Sequence, residues 1–154
     1  MLEIVEEHCA NRSDTIAWVA GETNLKSPSD KIFMLGHLPE NILRSYLASS
    51  TVMLYLAYYD WCPNAVVESL VAGTPVICSN NSGVAEIVGN DGGVVLPLDT
   101  ELAPKDLYKN PPSFEHGIVL ETLDIIGNNR VDKPELHICN TAIKYKLAFE
   151  DVLK

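Results

Sequence analysis

Five short apolar runs constrain this chain more than anything else in it. They are TIAWVA (15–20), KIFML (31–35), TVMLYLA (51–57), PVIC (75–78) and VVLPL (94–98). A strand with one wet face alternates apolar and polar residues, whereas a strand buried on both faces is apolar almost throughout. Helical patterns separate most of these runs. Residues 2–10 place Leu2, Val5 and Cys9 on one stripe, and Ile42, Leu43, Tyr46 and Leu47 follow Pro39 at helical spacing. Val66, Val67, Leu70 and Val71 follow Pro63 and Asn64, and the pattern stops at Gly73, the expected C-terminal cap. GVAEIV (83–88), opened by Ser82, predicts a short helix before Gly89. Strands alternating with helices predict an α/β domain: a Rossmann-like parallel sheet with helices on both faces.

Beyond residue 99 the pattern thins. Pro104, Pro111 and Pro112 mark a loop, residues 118–126 predict a helix ended near Gly127, and 140–153 predict a terminal helix. We therefore read 1–154 as one domain with 100–154 as a helical tail. At 154 residues the chain is long enough to bury a real core. Its net charge of −10 argues against nucleic acid or an anionic membrane as partner. No apolar run nears the ~18 residues of a membrane span, and the acidic start MLEIVEEHCA is unlike a signal peptide. Cys9, Cys62, Cys78 and Cys139 are widely spaced, without a C-x-x-C pair or a histidine at metal-ligand spacing. They read as free thiols of a cytoplasmic protein, with no metal site.

Ligands of parallel α/β sheets bind outside the carboxyl ends of the strands. Here those ends carry Gly21 and Glu22, residues 36–38, residues 58–64 and residues 79–83. Two of these loops run into helix N-termini, where amides without intrahelical partners attract anions. Gly83 would let backbone approach a diphosphate. Glu68 stands in the second turn of an otherwise apolar helix. A carboxylate only accepts hydrogen bonds, so it suits a diol such as ribose; on spacing alone a solvated helix face or a contact with the helix's own amides suits it better. Tyr58, Tyr59 and Trp61 suit either a sugar site or the core and rim.

The stretch YYDWCPNAVVESLVAGTPVICSNNSGVAEIV resembles the E-x(7)-E region of glycosyltransferase family 4 (group 1) enzymes. D-x(7)-E is followed by A-G-T-P-V-I and then S-G-V-A-E-I-V, and the likeness extends over about 15–99 through WVAG, FMLGHLPENILRSYLASS and GGVVLPLD. The resemblance implies the C-terminal, donor-binding half of a GT-B fold, two Rossmann-like domains facing a cleft, with a nucleoside-diphosphate sugar as donor substrate and no cofactor. On it Asp60 and Glu68 are the catalytic-site acids, Asp60 near the donor sugar and Glu68 on the ribose hydroxyls. Pro63, Asn64 and Ala65 line the diphosphate and sugar, Gly36, His37 and Leu38 lie along the base, and Ser82, Gly83 and Glu86 match the G-G-x-x-E helix. On the resemblance, the family's opening strand, its Gly-Arg…Lys-Gly segment and its acceptor-binding N-terminal domain are expected to be missing from these 154 residues.

The resemblance thus predicts a truncated domain of low stability, inactive alone. Its sheet would lack a strand between TIAWVA and TVMLYLA, which must either meet directly or leave a gap. The activity implied for the whole enzyme is retaining sugar transfer without an essential metal, to an acceptor the sequence does not name. The alternative is a non-catalytic nucleotide-sugar-binding or scaffold module, which the missing basic pair favours. A phosphorelay receiver lacks its acidic pair and late lysine here, and a sugar-nucleotide epimerase fits the C-P-N…E wording less well.

Overall fold

The structure, a computed structural model, describes residues 1–57, 60–80, 83–97 and 114–152. The order of elements is α1 (Leu2–Ala10), β1 (Ala17–Ala20), β2 (Ile32–Gly36), α2 (Glu40–Ser49), β3 (Met53–Tyr55), α3 (Asn64–Val71), β4 (Val76–Ser79), α4 (Gly83–Val88), β5 (Gly93–Leu96), α5 (His116–Ile125) and α6 (Ile138–Val152). A 3-10 turn, Pro134–Leu136, precedes α6. The alternation is the predicted one, and every strand pairing among the described residues is parallel.

β4 is the middle strand of three, in the order β3-β4-β5, and all four of its residues are buried. Its side chains divide the core by the two-residue period of a strand. Val76 and Cys78 face α3 and α4, packing with Val66, Leu70, Val84 and Val88. Ile77 faces the other way, into Ile4 of α1, Leu56, Leu96, Val119 of α5 and Ile126. Helices therefore cover both faces, as an all-apolar parallel strand requires. In α1 the buried residues are Ile4 and Cys9, whereas Leu2 and Val5 of the predicted stripe are half-buried. The docking angle against α5 selects the face, and sequence spacing alone does not report it.

β1 and β2 form a separate two-stranded sheet. Of the two arrangements open to the chain, a gap rather than direct pairing separates β1 from β3 among the described residues. The two sheets are joined through α2. On one side the Trp18 indole N–H donates to Ser50 Oγ at 3.1 Å and its ring meets Tyr46 edge-on, with centroids 5.0 Å apart. On the other side the Arg130 guanidinium donates to the carbonyls of Ala48 and Ser50 and, at 2.7 Å, to Thr74 Oγ1. Arg130 thus satisfies carbonyls at the C-terminal end of α2 and fastens it to the α3–β4 turn.

That turn is a Schellman cap. Gly73 has φ +82°, its N–H donates to the Leu70 carbonyl, and the Thr74 N–H donates to the Ser69 carbonyl. The strands are shorter than their apolar runs. β3 ends at Tyr55 because its ladder to β4 spans three residues; beyond it the Ser79 hydroxyl donates to the Ala57 carbonyl at 2.9 Å. The helix after Pro39 begins one residue later, at Glu40, with the Pro39 carbonyl accepting from Ile42 and Leu43. Cys9 and Cys78 are buried, and burial pushes the Cys78 thiol up to about 11, as expected of small core hydrophobes; all four cysteines are free thiols.

Candidate functional site

The carboxyl ends of β3 and β4 open onto two loops that touch. Residues 60–63 lead from β3 into α3, and Gly83 starts α4 after β4. A Cβ built on Gly83 would overlap the Trp61 carbonyl oxygen, with the carbonyl carbon 3.0 Å and Trp61 Cα 3.3 Å away. The first loop's backbone therefore lies directly on the start of α4. Glycine is needed at residue 83 for this close approach of one loop's backbone to the other.

Asp60 is half-buried, and both of its oxygens are engaged. The Tyr55 hydroxyl donates to Oδ2 at 2.7 Å, and the Cys62 N–H donates to Oδ1 at 3.2 Å, closing a side-chain turn of the kind aspartate favours. Burial, then the hydrogen bond to Asp60 and its negative charge, push the Tyr55 phenol up to about 12, so it remains a donor at physiological pH.

Pro63 is buried, and its carbonyl accepts from both Val66 and Val67 at the head of α3. Asn64 is exposed and Ala65 half-buried. Among the described residues their two N–H groups find no acceptor, and no side chain caps the helix. They remain available to an anion. Glu68 lies one turn further on, half-buried, and its carboxylate has no hydrogen bond or ion pair among the described residues. The alternative in which Glu68 turns back onto its own helix amides is not what α3 adopts. No lysine or arginine occurs between Arg44 and Lys105, so this stretch offers an anion amides and a helix dipole without a side-chain cation of its own.

The other expected residues are more dispersed. Glu86 is exposed on α4, a helix of six residues. Gly36, exposed His37 and half-buried Leu38 end β2 in the two-stranded sheet, with the Gly36 carbonyl accepting from the Gly21 N–H at 2.8 Å. Ser82, Tyr58 and Tyr59 lie outside the described residues. Trp61 is 76% exposed, on the rim rather than in the core. The structure thus brings Asp60, Pro63, Asn64, Ala65 and Gly83 together, with Glu68 a turn along the same helix. Tyr55, inside an apolar run, was overlooked by sequence reasoning; its one signal is a hydroxyl five residues before the loop aspartate. Among the described residues no group of histidine, cysteine or carboxylate side chains forms a metal-binding cluster, and no helix is long and apolar enough to cross a membrane.

Comparison with known proteins agrees with this architecture. The family model for glycosyl transferases group 1 matches residues 12–103, more than half of the chain. Over 67 residues the chain is 31% identical to the O-antigen chain mannosyltransferase B of Escherichia coli, a match covering 44% of this chain and 18% of the relative. Over 54 residues it is 32% identical to the putative teichuronic acid biosynthesis glycosyltransferase TuaC of Bacillus subtilis (strain 168), covering 35% of this chain and 14% of that protein. The matched segments span under a fifth of either relative's length. A parallel sheet clad by helices on both faces and a family match running from the turn before β1 past β5 lead to one conclusion: this chain belongs to the group 1 glycosyl transferases.

Proposed function

We propose that this chain is the donor-binding part of a retaining glycosyltransferase, which moves a sugar from a nucleoside-diphosphate sugar to an acceptor. The observation that carries the reading is Glu68: a half-buried carboxylate without a protein partner among the described residues, one turn along a helix whose first two amides are also unsatisfied. A half-buried acceptor-only group is partly shielded from water and gains from a donor, and a ribose diol supplies two hydroxyls. The amides of Asn64 and Ala65 receive the diphosphate. As the bond between sugar and diphosphate breaks, they hold the developing charge in place, as pre-aimed N–H donors do at any anionic leaving group. Asp60 stands beside the sugar; Gly36, His37 and Leu38 take the base; Ser82, Gly83 and Glu86 close the diphosphate side.

On this reading the donor and the acceptor suffice, without metal or cofactor, and the protein works in the cytoplasm. A second Rossmann-like domain supplies the acceptor side and a Gly-Arg…Lys-Gly segment opening the donor domain supplies the cations, so the 154-residue chain is inactive alone. The absence of lysine and arginine from residues 45–104 favours a second reading, a module that holds a nucleotide sugar without turnover.

Calorimetric titration of the chain with UDP, GDP and ADP, beside Glu68→Ala, tests the proposal. One nucleotide binds the wild type, and the variant binds it at least about tenfold more weakly, because two hydrogen bonds to a charged acceptor are lost. Equal binding by both proteins refutes the role of Glu68. Silence of the folded wild type, repeated on a chain extended upstream, refutes the donor site. Sugar transfer by that extended protein separates the enzyme from the module.

A further inference from the structure

The geometry points to Tyr55 as a positioning residue for the donor site: its hydroxyl fixes the Asp60 carboxylate, which in turn holds the Asp60–Pro63 loop in the shape that presents the head of α3. This rests on the donor-site reading above and adds to it a residue on the strand beneath the loop. Three attachments converge on four residues. Tyr55 Oη donates to Asp60 Oδ2 at 2.7 Å, the Cys62 N–H donates to Asp60 Oδ1 at 3.2 Å, and the Trp61 backbone rests on Gly83 with no room for a Cβ. Buried Pro63 then fixes the start of the helix, its carbonyl accepting from Val66 and Val67.

Tyr55 itself has a firm base. It belongs to β3, paired with Cys78 of the buried central strand, and its ring packs against the core formed by α3, α4 and β4. A hydroxyl projecting from such a base orients a carboxylate better than a loop side chain does. The phenol's elevated pKa means that this donor is not lost at neutral or mildly alkaline pH. An Asp60 anchored at both oxygens is also a less mobile acceptor beside the donor sugar, so its orientation matters for which hydroxyl it accepts from.

Tyr55→Phe keeps the ring and removes the hydroxyl, and Asp60→Asn keeps the side chain's size and removes its charge. Hydrogen exchange at the Cys62 amide reports the turn, and calorimetric titration with UDP, GDP and ADP reports the site. In Tyr55→Phe the Cys62 amide exchanges roughly tenfold faster, the loss of one charge-assisted hydrogen bond, and the nucleotide that binds the wild type binds several-fold more weakly because the loop is ordered a smaller fraction of the time. Asp60→Asn reproduces both losses, and the double variant is no worse than the single ones. A ring that only packs would leave both readouts at wild-type values in Tyr55→Phe, and that result overturns the proposal. Faster exchange with unchanged affinity overturns it as well, since the loop would then be pinned without serving the site. Silence of the wild type towards all three nucleotides, repeated on a chain extended upstream, refutes the underlying donor-site reading, a result distinguishable from wild-type binding that Tyr55→Phe leaves intact.

Discussion

Substituting Gly83 by alanine separates local preference from tertiary packing, because the two predict opposite signs. Glycine in a helix interior is worse than alanine by roughly 1 kcal/mol, so propensity favours the change. Gly83, however, is the first residue of α4, where that gain is only partly realised. Against it stands a backbone collision. The new Cβ would sit 3.0 Å from the Trp61 carbonyl carbon and closer still to its oxygen, whereas carbon atoms rest about 3.5–4.0 Å apart. The loop must retreat by at least ~0.5 Å, and it cannot swing freely because Asp60 is tied to Tyr55 and to the Cys62 amide. Overpacking of this kind costs about 1–3 kcal/mol, which exceeds the propensity gain.

Urea unfolding followed by circular dichroism should therefore show Gly83→Ala less stable by about 1 kcal/mol, the difference between those two effects. A displaced loop should also weaken nucleotide binding by more than the stability change, since misplacement of a fraction of an ångström matters at a site. An alanine variant as stable as the wild type or more so, with unchanged nucleotide affinity, would refute the close packing of Trp61 on Gly83.

Two further outcomes follow from packing and charge. Leu70→Ala removes a side chain 1% exposed between β4 and α4 and should cost about 2–5 kcal/mol by urea unfolding; a change below 1 kcal/mol would mean that the α3–β4 core is loose. Burial holds His8 below its ordinary 6.5, with Asp124 opposing and Arg12 reinforcing the shift. The unfolded chain therefore binds this proton first: the contribution is complete above pH 6.5 and is lost as pH falls through the depressed folded value. His8→Gln should flatten the decline in stability on acidification below pH 6.5, and an unaltered slope would contradict the burial of the imidazole.

What proved legible in the sequence is what short-range physics controls. The apolar purity of PVIC announced a strand covered on both faces, and β4 is the central, wholly buried strand, whereas TIAWVA and KIFML, read the same way, form the two-stranded sheet in which Trp18 and Phe33 are exposed. Pro63 and Asn64 marked the start of a helix and Gly73 its end, because proline and glycine act through their own backbone angles. Glu68 stood out as a carboxylate among valines and leucines, and the structure leaves it half-buried without a partner among the described residues. The family, too, was legible, since its wording is carried by these same loop and helix residues.

The tertiary structure alone decided how distant segments meet. That Ile4 enters the core, that Arg130 ties α2 to the α3–β4 turn, and that β1–β2 stand apart from β3–β4–β5 depend on docking among elements up to more than a hundred residues apart. The same holds for Tyr55 beneath Asp60 and Trp61 on Gly83: strand twist, ladder length and loop closure set which atoms coincide, and none of these has a period that the sequence displays. Sequence by itself determined the elements, the order in which they alternate and the acid on α3; the closing of the sheet determined what holds the loop in front of it, because contacts between remote residues exist only once the chain has folded.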